Sequence, residues 1–496
     1  MEFAGETITI GTVFFLVFAV GLELFFEAIN GFHDTANAVA TVIYTHSLKP
    51  TYAVVWSGIC NLLGVLVSSG AVAFTIVALL PNDLVTNVGS SPSYAMIFSV
   101  LIAAIIWNFG TWYLGIPNSS THALTGSLLG VSLAHALLSP SHNINEGMHW
   151  DAVKDVLLTL LISPIIGFIC AGLLLLLAKV LIRRPEFYEP ADQRKAPPAW
   201  IRGLLILTCT GVSFAHGNND GQKGMGLLTL ILVAILPGVF ALNLNTNADA
   251  INNLVNASRA ATPVIEQRAH GISLNSKDAG NELSNFLKPT GKVSDRAFAA
   301  LAEKNHEIVN GLSGKTNFRV LSPNDRRSLR SDMYLVSSTI GKLNKGKQFT
   351  NPQQKQAVAG YLSALDKEIN YIPTFVKVVV AFALGIGTMI GWKRIVVTVG
   401  EKIGKTHLSY AEGASAEVVA MATIGAASGF GLPVSTTHVL SSGVAGTMAA
   451  NGSGLQANTL RNIALAWVLT LPATTLLGSL LFAAGLYIVL QFIGVK

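Results

Sequence analysis

The chain has 496 residues and a net charge of +6; 51% of its residues are hydrophobic and only 12% charged, with a mean hydropathy of +0.52. Soluble domains carry roughly 25% charged residues, so a soluble enzyme or nucleic-acid-binding module fits poorly and an all-α polytopic membrane protein is the expected class. The basic residues fall mainly between hydrophobic runs, where the positive-inside rule accounts for them without a nucleic-acid partner.

The first apolar run, residues 8–29, lacks a basic n-region and is expected to stay as a helix instead of being cleaved as a signal peptide. It reaches Glu27 and then Asn30-Gly31-Phe32-His33-Asp34-Thr35-Ala36-Asn37. Ionisable groups at a span's end imply an interface or a broken helix lining a wet cavity. Further apolar runs cover 52–80, 94–114, 123–138 and 156–182; the third is short, as expected of a half-helix or hairpin arm. Between the first two lies segment 81–92, with Asp83 and no Lys or Arg. Cys60, Cys170 and Cys209 sit in apolar runs with no close-spaced pair, the pattern of small buried residues.

Residues 1–182 thus read as a first membrane repeat. Residues 183–202, with Arg183, Arg184, Arg194, Lys195, Arg202 and four prolines, read as a cytoplasmic linker. Residues 203–242 open a second repeat and contain His216-Gly217-Asn218-Asn219-Asp220-Gly221-Gln222-Lys223-Gly224. Residues 243–371 are polar, with helical spacing at 297–312, 325–343 and 354–369. They read as an inserted soluble, mostly helical segment, expected in the cytoplasm. Residues 372–496 complete the second repeat and include a basic loop, 393–405, and another short run, 439–450.

Two motifs recur. Gly115-Ile116-Pro117-Asn118-Ser119-Ser120-Thr121-His122 returns 316 positions later as Gly431-Leu432-Pro433-Val434-Ser435-Thr436-Thr437-His438. The pair Gly31 and Asp34 returns as Gly217 and Asp220, an offset of 186, and the difference of 130 between the offsets matches the inserted segment. The acidic segment 81–92 corresponds by order to the basic loop 393–405, so one is expected outside and the other inside. The expected fold is two inverted-topology repeats with broken helices or helical hairpins, in 10–12 membrane segments. One conflict stands: if 201–242 makes two passes, the linker and the basic loop fall on opposite faces.

A proline followed by Ser or Thr and an apolar run is a helix-start signal. At membrane depth its unpaired N–H groups, helix dipole and hydroxyls suit an anion. The competing reading makes the hydroxyls glue between helices; the second copy with its matched histidine favours the anion. Asp34 and Asp220 are candidates for cation binding or proton carriage, the alternative being acids that face an interface. Asn37, Asn218, Asn219 and Gln222 are available as neutral ligands or amide donors. Lys223 is placed to compensate an acid or an anion, or to snorkel. His122 and His438 either orient hydroxyls, relay protons, or pack as satisfied polar groups. Glu27 is deep but has no counterpart, since Ser213 occupies the matching position. His142, Glu146 and His149 have poor metal spacing.

Through Gly31-Phe32-His33-Asp34-Thr35-Ala36-Asn37-Ala38, the stretch 216–224 and Pro433-Val434-Ser435-Thr436-Thr437-His438, the chain resembles the inorganic phosphate transporter family, close to its bacterial low-affinity Pit-type permeases. The similarity covers the membrane sequence and is weaker over the inserted segment. It implies an inverted-repeat secondary active transporter, not an enzyme, with inorganic phosphate between the repeats. It further implies symport with protons, the phosphate travelling as a neutral complex with a divalent metal (Mg, Ca, Mn or Zn), and no permanently bound cofactor. Pairing the dianion with such a cation removes the charge that makes desolvation prohibitive. Carried over by position, Ser119, Ser120, Thr121, Ser435, Thr436 and Thr437 would surround phosphate. Asp34 and Asp220, with Asn37 and Asn219, would hold the coupling cation or proton, and the two acids are also the candidate metal ligands. His122, His438, Gln222 and Lys223 are candidates to relay or orient.

The family's Asn-Asp pair is kept at Asn219-Asp220, whereas His33 precedes Asp34. Sodium-coupled animal members of the family have a glutamate where this chain has Asn61, which favours protons here. The nearest alternatives are a sodium-coupled phosphate carrier and a sulfate or other oxyanion carrier of the same fold. From other classes come a membrane enzyme acting on phosphorylated lipid and a phosphate sensor signalling through the inserted segment. The expected setting is the bacterial inner membrane, with a homodimer as a candidate assembly.

Overall fold

A computed structural model describes residues 2–3, 6–86, 89–139, 142–192 and 195–493. A two-stranded antiparallel ribbon (β1, Glu2–Phe3; β2, Glu6–Thr7) precedes a helical chain. Helix α1 spans Ile10–Tyr44, started by Thr9, whose side chain accepts from Thr12 N. It is followed by α2 (Pro50–Val67), α3 (Ala71–Val77), α4 (Asn82–Thr86), α5 (Ser91–Tyr113) and α6 (Ser120–Leu138). Next come α7 (Ile144–Gly147), α8 (Trp150–Leu181), α9 (Ala199–Ile235) and α10 (Pro237–Phe240). Five helices occupy the inserted segment: α11 (Ala248–Ala269), α12 (Ser276–Leu287), α13 (Asp295–Leu312), α14 (Pro323–Lys345) and α15 (Pro352–Ile369). The chain closes with α16 (Thr374–Met389), α17 (Lys393–Glu401), α18 (Tyr410–Gly429), α19 (Thr436–Asn451) and α20 (Ala457–Ile488). A capping box of Ser409 and Glu412 opens α18.

Among the described residues seven helices are long and apolar enough to cross a membrane: α1, α2, α5, α6, α8, α9 and α20. The count becomes eight if α15 and α16, bent by 65° at their junction, form one broken span. That is below the 10–12 segments read from the sequence: α16 and α19 are only 16 residues long, where about 20 are needed to span, and α18, of 20 residues with Glu412 and Glu417, is not among the candidate spans.

The two Gly-x-x-Asp stretches do not break their helices. Both lie inside uninterrupted ones, α1 of 35 residues and α9 of 37. Their glycines are contact points instead. A Cβ on Gly31 would come within 2.4 Å of Leu384 O on α16, and one on Gly217 within 2.1 Å of Asn61 O on α2, the small-residue packing that lets membrane helices touch along their backbones. The pairing is reciprocal: α1 lies on α16, α9 on α2. The short helices repeat the exchange, α6 on α20 and α19 on α8. Gly130 meets Thr475 O and Gly446 meets Phe168 O at 2.1 and 2.0 Å from a built Cβ. Each long partner, α8 and α20, carries one interior proline, Pro164 and Pro472.

Residues 199–235 form one uninterrupted helix, α9, long and apolar enough for a single crossing, not the two passes considered for 201–242. At one end of α9 the linker meets the loops 402–409 and 45–49, through Ala191 N to Leu408 O (3.4 Å) and Arg202 Nε to Ser47 O (2.8 Å). At the other end the inserted segment meets the N-terminal ribbon and segment 81–92. Arg327 pairs with Glu6 (3.4 Å), Arg330 Nη1 donates to Val85 O (3.2 Å) and Tyr334 OH donates to Asn82 Oδ1 (3.2 Å). The linker and the inserted segment thus lie at opposite ends of the one continuous helix α9. The inserted helices share an apolar core of their own that includes Leu283, Phe298, Leu301, Met333 and Tyr361.

Candidate functional site

The two hydroxyl-rich motifs become two helix starts of the same construction. Gly115 and Gly431 both have φ +68°, a left-handed conformation that glycine adopts without penalty. Four residues later Ser119 (φ −102°, ψ 113°) and Ser435 (φ −98°, ψ 107°) act as N-caps of α6 and α19. Their hydroxyls accept from His122 N (3.1 Å) and His438 N (3.2 Å). Ser119 and Ser435 are thus engaged in capping. The next residues, Ser120 and Thr436, are buried, and their hydroxyls have no hydrogen-bond partner. Both starts therefore hold an unpaired hydroxyl next to first-turn N–H groups that lack intrahelical acceptors, at the positive end of a helix dipole.

The third hydroxyl of each motif connects the start to charge. Thr121 Oγ1 donates to Val434 O across the two loops (3.0 Å) and accepts from Lys223 Nζ on α9 (2.5 Å). Lys223 also donates to Asp220 Oδ1 (2.7 Å) and Val434 O (3.0 Å). Thr437 Oγ1 donates to Asp34 Oδ1 on α1. All of these side chains are buried.

Between the acids lies His216. Its Nδ1 is 2.8 Å from Asn61 Oδ1, and the Asn61 amide donates to Thr388 Oγ1 (3.1 Å). With the amide oriented in this way Asn61 Oδ1 accepts, so Nδ1 carries a hydrogen; in the neutral ring Nε2 then presents a lone pair, and in the imidazolium a second N–H. That Nε2 lies 3.5 Å from Asp220 Oδ2 and 3.8 Å from Asp34 Oδ2. Neither Nε2 nor Asp220 Oδ2 has a hydrogen-bond partner. Asp34, His216 and Asp220 each offer a ligand atom, all within 4.8 Å of one another. With His216 neutral, the site holds three acceptors and no donor between them, and a cation or a proton on Nε2 relieves the repulsion. This chemistry fits an oxygen- and imidazole-binding divalent ion as well as a proton.

The remaining sequence candidates occupy neighbouring positions. Asn219 donates to Ser428 Oγ and Leu432 O (both 3.1 Å) and accepts from Val434 N (3.4 Å), so it pins the second loop. Gln222 accepts from Val72 N (3.0 Å) and donates to Asn218 O (2.7 Å), holding the start of α3 against α9. His122 and His438 meet with ring centroids 4.2 Å apart, and His438 stacks on Trp467 at 4.0 Å. His122 Nδ1 is 2.9 Å from Ser119 Oγ. The side chain of Asn37 lies outside the described residues. His216 is not among the site residues named from the sequence. Its spacing of four from Asp220 would have placed both on one helix face, had α9 been read as continuous.

A model of the phosphate transporter family matches residues 30–478. The chain belongs to this family. It is 42% identical over 518 residues to the low-affinity inorganic phosphate transporter PitA of Escherichia coli K12, covering 99% of each chain. It is also 42% identical over 491 residues to a low-affinity inorganic phosphate transporter of Buchnera aphidicola from Acyrthosiphon pisum, covering 96% of this chain and 97% of the relative. A solved structure described as the sodium-dependent phosphate transporter aligns with a TM-score of 0.51 at 19% identity, over 95% of this chain and 98% of that one, a likeness of fold.

Proposed function

We propose that this chain is a symporter for inorganic phosphate in a bacterial inner membrane, driven by protons, with the anion carried as a neutral complex with a divalent cation. The observation that carries this reading is the contact between the helix starts and the acids: Thr437 bonds to Asp34, and Thr121 to the Lys223–Asp220 pair. An anion held by Ser120, Thr436 and the first-turn amides would sit beside the one buried lysine of α9 and a three-acceptor cation cluster. Opposite charges that enter together neutralise each other, which is what a low-dielectric site requires of a charged cargo. The printed names of the relatives, low-affinity inorganic phosphate transporters, favour phosphate as that anion.

The reciprocal helix pairing supports two repeats of inverted topology that rock about the site to give alternating access. The positive-inside rule assigns the linker end, with Arg183, Arg184 and Arg202, to the cytoplasm. The inserted segment is then extracytoplasmic, beside the N-terminal ribbon.

The test is phosphate uptake by purified protein in proteoliposomes under imposed gradients. Uptake should follow an inward proton gradient, depend on added divalent metal and resist competition by sulfate. Uptake that ignores protons and follows sodium would transfer the three-acceptor cluster to sodium, the reading that the name of the solved relative suggests.

A further inference from the structure

The inserted segment holds the whole net charge of the chain. Residues 243–371 carry 17 Lys and Arg against 11 Asp and Glu, which is the full +6, while the rest of the chain carries 16 of each. The positive-inside rule does not account for this excess, because it applies to short loops and not to a segment of this length. A carrier of anions gains from such a field on the face where the anion arrives, since it raises the local anion concentration and the on-rate.

Where this segment meets the membrane helices it leaves a polar cavity of about 650 Å³, within the range of about 300–1,000 Å³ usual for ligand pockets. One wall is the polar side of α12, with Ser276, Lys277, Asn281, Ser284 and Lys288. The opposite side of α12, with Ala279, Leu283, Phe286 and Leu287, is buried in the apolar core of the segment, which fixes the way α12 faces. Lys342 secures its far end by donating to Phe286 O (2.6 Å) and Lys288 O (2.7 Å). The other wall includes Asp83 of α4 and His135 of α6.

Both acids among the described lining residues are engaged. Asp83 lies 2.6 Å from His135, and Asp332 of α14 lies 2.9 Å from Lys304 of α13. The acids of α12 stand outside the lining: Glu282 pairs with Arg296 (3.1 Å), and Asp278 accepts from Asn275 Nδ2 (2.8 Å). Three lysines thus line the cavity against two acids that already have partners, with hydroxyl and amide donors between them. This chemistry favours an anion over a cation. The space exceeds a bare phosphate ion and leaves room for its first waters, so the ion binds there through water bridges without the cost of desolvation. The cavity also lies on the line of the transport site. His135 stands on α6 about 22 Å beyond Ser120, at ~1.5 Å per residue, at the far end of the helix whose first turn is one of the two starts.

We propose that this cavity is a second, receiving site for hydrated inorganic phosphate, where Lys277 and Lys288 hold the anion on the inserted-segment face before it moves to the helix starts. Lys304 is a positioning residue, tying α13 to Asp332 and to Ser276 Oγ (3.1 Å). The inference rests on phosphate as the cargo, as proposed above. A lipid headgroup offers the same phosphate chemistry to two lysines, and the test separates the two sources.

The test counts labelled inorganic phosphate bound to the full chain in phosphatidylcholine nanodiscs. A second phosphate per chain is expected beyond the one at the helix starts, and Lys277→Gln combined with Lys288→Gln should abolish it. In proteoliposomes the same double variant should take up subsaturating phosphate about three- to tenfold more slowly. Lower ionic strength should speed uptake by the unmodified chain and speed the double variant much less. If the double variant does not fold, Lys277→Glu, at an exposed position, carries the same expectation. A single bound phosphate beside intact uptake would overturn the receiving site alone. So would a second phosphate that survives in the double variant, or one that phosphatidylglycerol in the nanodisc displaces. Absence of phosphate uptake by the unmodified chain would overturn the phosphate reading, and the receiving site with it.

Discussion

The two short-helix starts are near copies, whereas the two long helices that face them are not. Gly115 and Gly431 share one φ value; Ser119 and Ser435 make the same cap, and Ser120 and Thr436 leave the same hydroxyl unpaired. Across from them Asp34 and Asp220 correspond, but Glu23 and Glu27 of α1 and His216 and Lys223 of α9 have no counterparts. The matched parts supply N–H and O–H donors, which suit a tetrahedral anion approached from two sides. The unmatched parts supply charge of both signs, which a coupled carrier needs in unequal amounts on its two faces.

The largest expected effect comes from the one acidic pair that the two long helices share. Asp34→Asn and Asp220→Asn should each lower gradient-driven phosphate uptake by about a hundredfold or more, while the protein still inserts and elutes as a folded species. Full uptake in both would end the assignment of charge to these helices.

The next effect concerns stability. Lys223 and Asp220 are a buried pair at 2.7 Å, and removing one partner leaves a buried charge uncompensated, a loss of about 3–5 kcal/mol. Lys223→Met and Asp220→Asn should each lower the melting temperature in detergent, and the double variant should recover much of the loss. Additive losses would show that the two residues do not act as a pair.

A smaller effect sharpens the comparison on the matched side. Ser120→Ala and Thr436→Val each remove one hydroxyl donor to a charged ligand, a loss of about 1.5–3 kcal/mol in binding. Phosphate KM should rise by about ten- to a hundredfold and by similar factors in the two variants. A rise in one alone would mean that the starts, alike in backbone, do not share the anion. The smallest change is expected for Ser119→Ala and Ser435→Ala, which lose a cap of about 1 kcal/mol and should lower thermal stability more than they raise KM.

Much of this comparison is legible in the amino-acid order. The glycine, proline, hydroxyl and histidine positions of both starts repeat, and local chemistry alone makes them caps. The long helices are less legible, because Gly31 and Gly217 beside polar residues resemble helix breaks. Only the backbones of Leu384 and Asn61, far away in the chain, show that these glycines serve close packing. Loop charges alone do not say at which end of α9 the inserted segment lies, since that hinges on whether 201–242 forms one helix or two. His216 acquires its role from Asn61, 155 positions away, a distance over which no local pattern carries information.

The central claim is that one anion is held by both helix starts at once. A structure of the protein with phosphate bound in lipid nanodiscs tests it directly. Phosphate oxygens are expected within hydrogen-bond distance, about 2.5–3.2 Å, of both Ser120 Oγ and Thr436 Oγ1, with Lys223 adjacent. Phosphate bound at only one start, or away from both, would contradict the account.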